Sequence, residues 1–421
     1  MSSSRFILSL VILLQAQGAW ARTVPPQVAN AGRAQYGDQR GPFRDEDLQS
    51  EEMPEEPRDY AELNAGLPMQ IDQGLGLKRN RNYIILLKKN PQYVFDFRTA
   101  DRLRRSLMIM NTSDMDIGHA MVAWQCRNAR GGMDSGATGQ TGEQQNQGMQ
   151  MLRSGWGLST FMSSFRDGYL NTPEEAEEVI EEASQANRLR FIAFEVSSAE
   201  CQKMLGWLKT YIKHPKEPQR HFGLNLRPDR FEGGGCGSFA VTMVEQSGLL
   251  PKGVTDNVWR TLNVPTHLLG VGSKVPPYTD YYKKIPYNQN VFGGSIMSDY
   301  WSCRPGWAPC HKLRVADPEM IIHLMTSYEK AAAQLIGRTN VMFGEAGMSL
   351  KSKERRVSFI EDTMERFQNT ATQLIDSRYD RQTLVMEQTA FDDLKRRLSQ
   401  GSKLRHGRLV NVDGLIVEKA R

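Results

Sequence analysis

The chain reads as an α+β protein, on three observations. Apolar runs of strand length recur at 83–87, 93–97, 117–126 and 189–196. Segments with helical spacing stand among them, at 172–186 and 198–211. A glycine triplet, Gly233 to Gly235, then runs straight into an apolar helical pattern whose first residue is Cys236. Such a mixture of periods 2 and 3.6 along one stretch predicts strands and helices packed together in one domain, here placed at 68–316.

From the start, Arg5 precedes the apolar run Phe6 to Leu14, and Ala19-Trp20-Ala21 supplies small residues for cleavage after Ala21, so 1–21 is expected to be a signal peptide. An uncleaved anchor is the alternative. The apolar run is too short to span a bilayer unaided, and no stable membrane span is expected elsewhere. Export to a periplasm or out of the cell follows. Residues 22–67 are polar, with acidic residues clustered at Asp45-Glu46-Asp47, Glu51-Glu52 and Glu55-Glu56, too little apolar surface to order a chain. They are read as a linker.

Folded structure is expected near Asn82, with Tyr83–Leu87 and Tyr93–Phe97 joined as a hairpin across Lys88-Lys89-Asn90-Pro91. Ile117 to Cys126 is a strand in which His119, Met121, Ala123 and Gln125 share one face and Ala120, Val122, Trp124 and Cys126 the other. Residues 127–150, rich in Gly, Gln, Asn and Ser, read as a surface insertion or mobile loop. Further sheet candidates lie in 155–170 and in LRFIAFEV at 189–196. Thr172 and Pro173 mark a helix start, and 198–211 forms a second helix with Met204, Leu205, Trp207 and Leu208 inward.

Beyond Leu250, the tyrosines and tryptophans of 251–309 either line a groove or cover a core edge, the second being the commoner use. Residues 317–421 are expected to be helical, with stripes at Ile321, Leu324, Met325, Tyr328 and Ala332 and at Ile360, Met364, Phe367, Ala371, Leu374 and Ile375. Core packing is their default role, and partner binding the alternative. The basic stretch Lys403 to Arg408 is expected at the surface.

A formal charge of +5 over 421 residues, without a dense basic block, gives no ground for nucleic-acid binding. The 5 cysteines are an odd number for an exported chain: Cys126, Cys201, Cys303 and Cys310 can pair in a way the sequence leaves open, with Cys236 left over. Cys303 and Cys310 bracket a short loop that a disulfide can close, whereas Cys126 and Cys201 also fit as buried thiols. No zinc-type spacing is present, and neither a metal nor a cofactor is expected. A thiol at a helix start meets free N–H groups and the positive end of the dipole, which favour thiolate. The bland alternative is a packing cysteine after a tight turn. Histidines 214, 221, 267, 311, 323 and 406 read as surface or structural residues, and Asn225 as a loop former.

The strand GHAMVAWQC, followed by a glycine-rich loop and GCGSFAVTMVEQSGL, resembles the circularly permuted branch of the NlpC/P60 papain-like superfamily, over roughly Asn82 to Leu250. The resemblance implies an antiparallel sheet packed on the Cys236 helix, with Cys236 as nucleophile and His119 as general base. It also implies a third, orienting polar residue, for which Ser159, Thr160 and Gln125 are the candidates. Backbone N–H groups at the helix start, including that of Cys236, would hold the oxyanion, and the glycines would clear the path of the carbonyl.

Three function classes follow. The first is an exported cysteine hydrolase acting on an amide or ester in a peptide, peptidoglycan or acyl-lipid substrate. The others are an inactive papain-like scaffold that binds a ligand or partner, and a structural envelope protein assembling through its C-terminal helices.

Overall fold

The computed structural model describes residues 60, 62–90, 95, 97, 100, 103, 104, 106, 107, 118–142, 147–250, 258–275, 278–281, 289–303, 309–318, 320, 321, 325, 402–409 and 412–419. The expected signal peptide, most of the acidic linker and the helical stripe at 360–375 lie outside them.

The protein is mixed α and β with a mostly antiparallel sheet. Its elements are α1 (Met69–Gly74), β1 (Asn82–Lys89), β2 (His119–Arg127), β3 (Met133–Thr138), β4 (Gln140–Gly142), α2 (Gln147–Arg153), β5 (Ser164–Phe165), β6 (Gly168–Leu170), α3 (Pro173–Gln185), β7 (Leu189–Val196), α4 (Ser198–Ile212), α5 (Cys236–Gln246), β8 (Trp259–Pro265), β9 (Thr279–Asp280), α6 (Gly293–Ser298), β10 (Cys310–Ala316), β11 (Ser402–Leu409) and β12 (Val412–Lys419). Six strands form the main sheet in the order β11-β12-β7-β1-β2-β3, with only the β12–β7 contact parallel.

β1 and β2 are buried on both faces, which is why they read as nearly unbroken apolar runs. Ile84, Leu86, Ala120, Val122 and Trp124 pack with Met204, Leu205 and Leu208 of α4 and with Phe239, Ala240 and Met243 of α5. Tyr83, Ile85, Leu87, Met121 and Ala123 pack on the other side, against Ile71 of α1 and Ala176, Ile180 and Ala183 of α3. A separate core joins Phe97 and Phe161 to Leu262, Val264, Leu313 and Val315 of the β8–β10 pair. Both long helices start where the sequence marks them, each with a reciprocal capping box: Thr172 with Glu175, and Ser197 with Glu200.

Several expectations are corrected. β1 pairs with β2 and β7 instead of with 93–97, and Phe97 is buried in the β8–β10 core. Within the stretch expected as a loose insertion, 133–138 instead forms β3 on the edge of β2, while 143–146 lie outside the described residues. Its small residues are what fit there: a Cβ at Gly136 would run into the backbone of Leu63 and the Trp124 ring. Ordered structure also precedes Asn82, since Leu63 is buried and Asn64 Oδ1 accepts the Trp124 indole N–H at 2.9 Å. At the other end, residues 320, 321 and 325 are helical, but 402–409 and 412–419 are strands that extend the sheet beyond β7, in place of the expected helix. Leu415 is buried in one face of the sheet and Ile416 in the other, the period-2 pattern of a strand in the interior.

Cys126 is bonded to Cys201, tying the end of β2 to α4, and Cys303 to Cys310. Of the two readings left open for Cys126 and Cys201, the disulfide is the one found. In the aromatic segment, Trp301 is buried with its indole N–H on Ile296 O, and Tyr281 packs on the buried Trp156. Tyr282, Tyr287 and Trp307 lie outside the described residues. Among those described, no helix is long and apolar enough to cross a membrane.

Candidate active site

Cys236 is the first residue of α5, and with the other four cysteines in disulfides it is the free thiol. The glycines before it have a packing role. Gly233 takes φ +105, a conformation glycine adopts freely, and a side chain there would collide with the backbone of His221. Gly234 N–H donates to His221 O at 3.0 Å, seating the loop against 221–223. The N–H of Gly235 donates to Ser238 Oγ at 3.1 Å. The N–H groups of Cys236 and Gly237, at the first two helical positions, have no intrahelical acceptor.

His119 opens β2, preceded by Gly118 at φ +28. Its ring is near enough to the Cys236 thiol for its hydrogen-bonding capacity and charge to lower that thiol's pKa. On its other side, His119 Nε2 lies 2.9 Å from Asn171 Oδ1. An amide oxygen only accepts, so Nε2 carries the proton of that pair and Nδ1 is the nitrogen left to serve the sulfur. Close quarters fix the ring as well, since a Cβ at Gly139 would meet Nε2 at 2.8 Å.

Asn171 is the partner of the imidazole that sequence reasoning missed. It sits between the end of β6 and Thr172, the cap of α3. Its own backbone is held at both ends: its N–H donates to Gly139 O at 2.9 Å, and its carbonyl accepts from Thr138 Oγ1 at 2.8 Å. The three candidates put forward for this role are elsewhere. Gln125 lies at the far end of β2, about 20 Å along the strand at 3.3 Å per residue, and donates to the carbonyls of Lys78 and Arg81. Ser159 and Thr160 are buried in the short helical turn Leu158–Met162. Asn225 donates to Met162 O. The signal that would have found Asn171 is a polar residue directly before a helix cap, closing a strand that pairs back onto the chain just after β3.

Burial pulls the Cys236 thiol up, but the His119 hydrogen bond and charge, the charge of Lys88 and a hydrogen bond from the Ala120 backbone outweigh it and bring the thiol down to about 7. Near neutral pH about half of such a sulfur is thiolate, against a few per cent for an ordinary cysteine. Among the described residues, no cluster of three or more His, Cys, Asp and Glu side chains is arranged to hold a metal ion. No family model, curated protein or solved structure matches the chain.

Proposed function

We propose that the protein is an exported cysteine hydrolase of permuted papain-like type that cleaves an amide or ester through Cys236 and His119, with Asn171 orienting the imidazole. One observation carries this reading: the imidazole that lowers the pKa of the free thiol at the start of α5 is held at Nε2 by an amide oxygen 2.9 Å away. A nucleophile, a base within reach of it and a third group fixing the base form the general pattern of an activated acyl-transfer site.

In this mechanism the Cys236 thiolate adds to the substrate carbonyl. The oxyanion takes the N–H groups of Cys236 and Gly237, because that of Gly235 is engaged by Ser238. Protonated His119 gives its proton to the leaving amine or alcohol, and then activates the water that releases the acyl group. Two disulfides fit an oxidising compartment and support export. The inactive-scaffold reading drew its strength from an unplaced third residue, and the contact of Asn171 with His119 argues against it. Peptide, peptidoglycan and acyl-lipid carbonyls all remain within this chemistry.

The test is the pH dependence of iodoacetamide alkylation at Cys236, run beside hydrolysis of p-nitrophenyl acyl esters and peptidoglycan fragments. Because the folded thiol is lowered, alkylation should rise as pH passes upward through about 7, at least a full unit below the ordinary onset near about 8.5. An ordinary onset, with no hydrolysis of any substrate, removes the proposal.

A further inference from the structure

The two halves of the site stand on separate parts of the chain, and one short stretch of backbone reaches both. Gly139 belongs to the histidine half: a Cβ there would meet His119 Nε2 at 2.8 Å, and its carbonyl accepts the Asn171 N–H at 2.9 Å. Gln140, the next residue, opens β4 and pairs with Leu170 of β6, the residue before Asn171. Its side chain runs to the cysteine half. Nε2 donates to the carbonyls of Pro218 at 3.0 Å and His221 at 2.9 Å, with that of Gln219 at 3.4 Å. The His221 carbonyl also accepts the Gly234 N–H at 3.0 Å, and the Gly223 N–H donates to Gly234 O at 3.4 Å. Gly234 precedes Gly235 and Cys236. One backbone oxygen therefore holds both the Gln140 amide and the glycine approach to α5.

The amide is fully used. Carbonyls only accept, so Nε2 is the atom that faces them, and Oε1 takes the Tyr211 hydroxyl proton at 2.7 Å. Burial pushes the Tyr211 hydroxyl well above its ordinary value, so it stays a donor. Gln140 and Tyr211 are both 0% exposed, and the Tyr211 ring packs on Trp207 of α4 and Phe239 of α5. A polar group so placed is costly unless its bonds are all made. The body of α5 does not depend on it, since Phe239, Ala240, Met243 and Val244 anchor the helix in the core.

We propose that Gln140, braced by Tyr211, is a positioning residue of this site: it sets the start of α5, with the Cys236 sulfur and the N–H groups of Cys236 and Gly237, in register with the imidazole beside Gly139. The proposal rests on the cysteine-hydrolase reading of the same site. It gives a physical reason for an amide inside an apolar core, and it makes residues 139 and 140 the joint between nucleophile and base. Methionine at 140 keeps the reach of the side chain but has no N–H to donate. The turn at 218–221, and the glycine loop seated on it, then lose their tie to β4.

The experiment is steady-state hydrolysis of p-nitrophenyl acetate by the full chain, with iodoacetamide alkylation of Cys236 beside it. Wild type, Gln140→Met, Tyr211→Phe and the double variant are compared, each with a thermal melt. Gln140→Met should lower kcat about 100-fold, the cost of a misplacement of about 1 Å, and should move KM far less. Tyr211→Phe removes one hydrogen bond from the same amide and should lower kcat about tenfold. Because both act through that amide, the double variant should lose no more than Gln140→Met alone. An amide with a merely structural role would lower the melting temperature and leave kcat where it was. If the ester turns over too slowly to follow, the alkylation rate near about pH 7 takes the place of kcat, since a sulfur drawn away from the imidazole is less ionised. A folded Gln140→Met protein with the wild-type rates overturns the role of Gln140 and leaves the Cys236–His119 reading standing. Should Gln140→Met fail to fold, Tyr211→Phe carries the test, and unchanged rates there overturn the proposal. A wild type that neither cleaves the ester nor alkylates below the ordinary onset overturns both readings.

Discussion

The two ends of β2 have opposite chemistry. At its end, Cys126 is oxidised onto Cys201, Gln125 gives its amide protons to two fixed carbonyls, and the Arg127 N–H donates to Asn82 Oδ1. Nothing there has a proton to exchange at neutral pH. At its beginning, His119 stands between an amide oxygen and a free thiol, with a buried lysine across the strand from its neighbour. The same residue type, cysteine, is a staple at one end and a thiol brought down to about 7 at the other. What separates them is that one ends a strand beside a helix carrying a second cysteine, whereas the other starts a helix behind a glycine loop.

His119→Ala should break this contrast most strongly. It removes both the hydrogen bond and the charge that lower the thiol, so the alkylation onset should rise above about 7. Hydrolysis, measured on any ester that wild type turns over, should fall about 10²- to 10⁴-fold, the usual worth of a general base. A melting temperature close to wild type would show that the loss is chemical. Retained turnover would remove His119 from the mechanism.

The next largest effect belongs to the other end. The Cys126–Cys201 bond closes a span of 75 residues and Cys303–Cys310 one of 7. On the chain-entropy account, removing the first by paired alanine substitution should cost about 4.5 kcal/mol, and removing the second about 2.4 kcal/mol. Denaturant titration reads both. The Cys236 alkylation onset should stay where it was in the Cys126→Ala/Cys201→Ala protein, because sites well apart and without shared partners behave additively. An onset that moves would mean that the staple positions the site and that the two ends of β2 are one unit.

How far the sequence discloses this arrangement depends on the range of the interactions involved. The Cys236 helix, its glycine approach and both capped helices are local patterns, and each is found where the residues mark it. The LRFIAFEV strand is legible for the same reason. β3 is not, because its Met-Asp-Ser-Gly-Ala-Thr sequence has the composition of a loop, and only contact with Leu63 and Trp124 gives small residues a purpose there. The C-terminal hairpin is hidden by range: β12 joins β7 across more than half the chain. Asn171 is hidden by brevity, since β6 has only 3 residues and carries almost no periodic signal.

Asn171→Ala is the finest cut at the comparison, and it separates orientation from proton transfer. The bonds that locate residue 171 run through its backbone, to Gly139 O and from Thr138 Oγ1, and both survive the substitution. The ring of His119 then keeps its place in the chain but loses the acceptor that fixed its Nε2–H. Turnover should drop about 10- to 100-fold, less than the full worth of the base, and the loss should fall on kcat more than on KM, because the amide faces the imidazole rather than a substrate. Asn171→Asp restores an acceptor at the same reach and should recover part of the rate. If alanine at 171 matched wild type in kcat while His119→Ala did not, the imidazole would be oriented by its packing against Gly139 alone, and the third member of the site would be a contact of shape instead of a hydrogen bond.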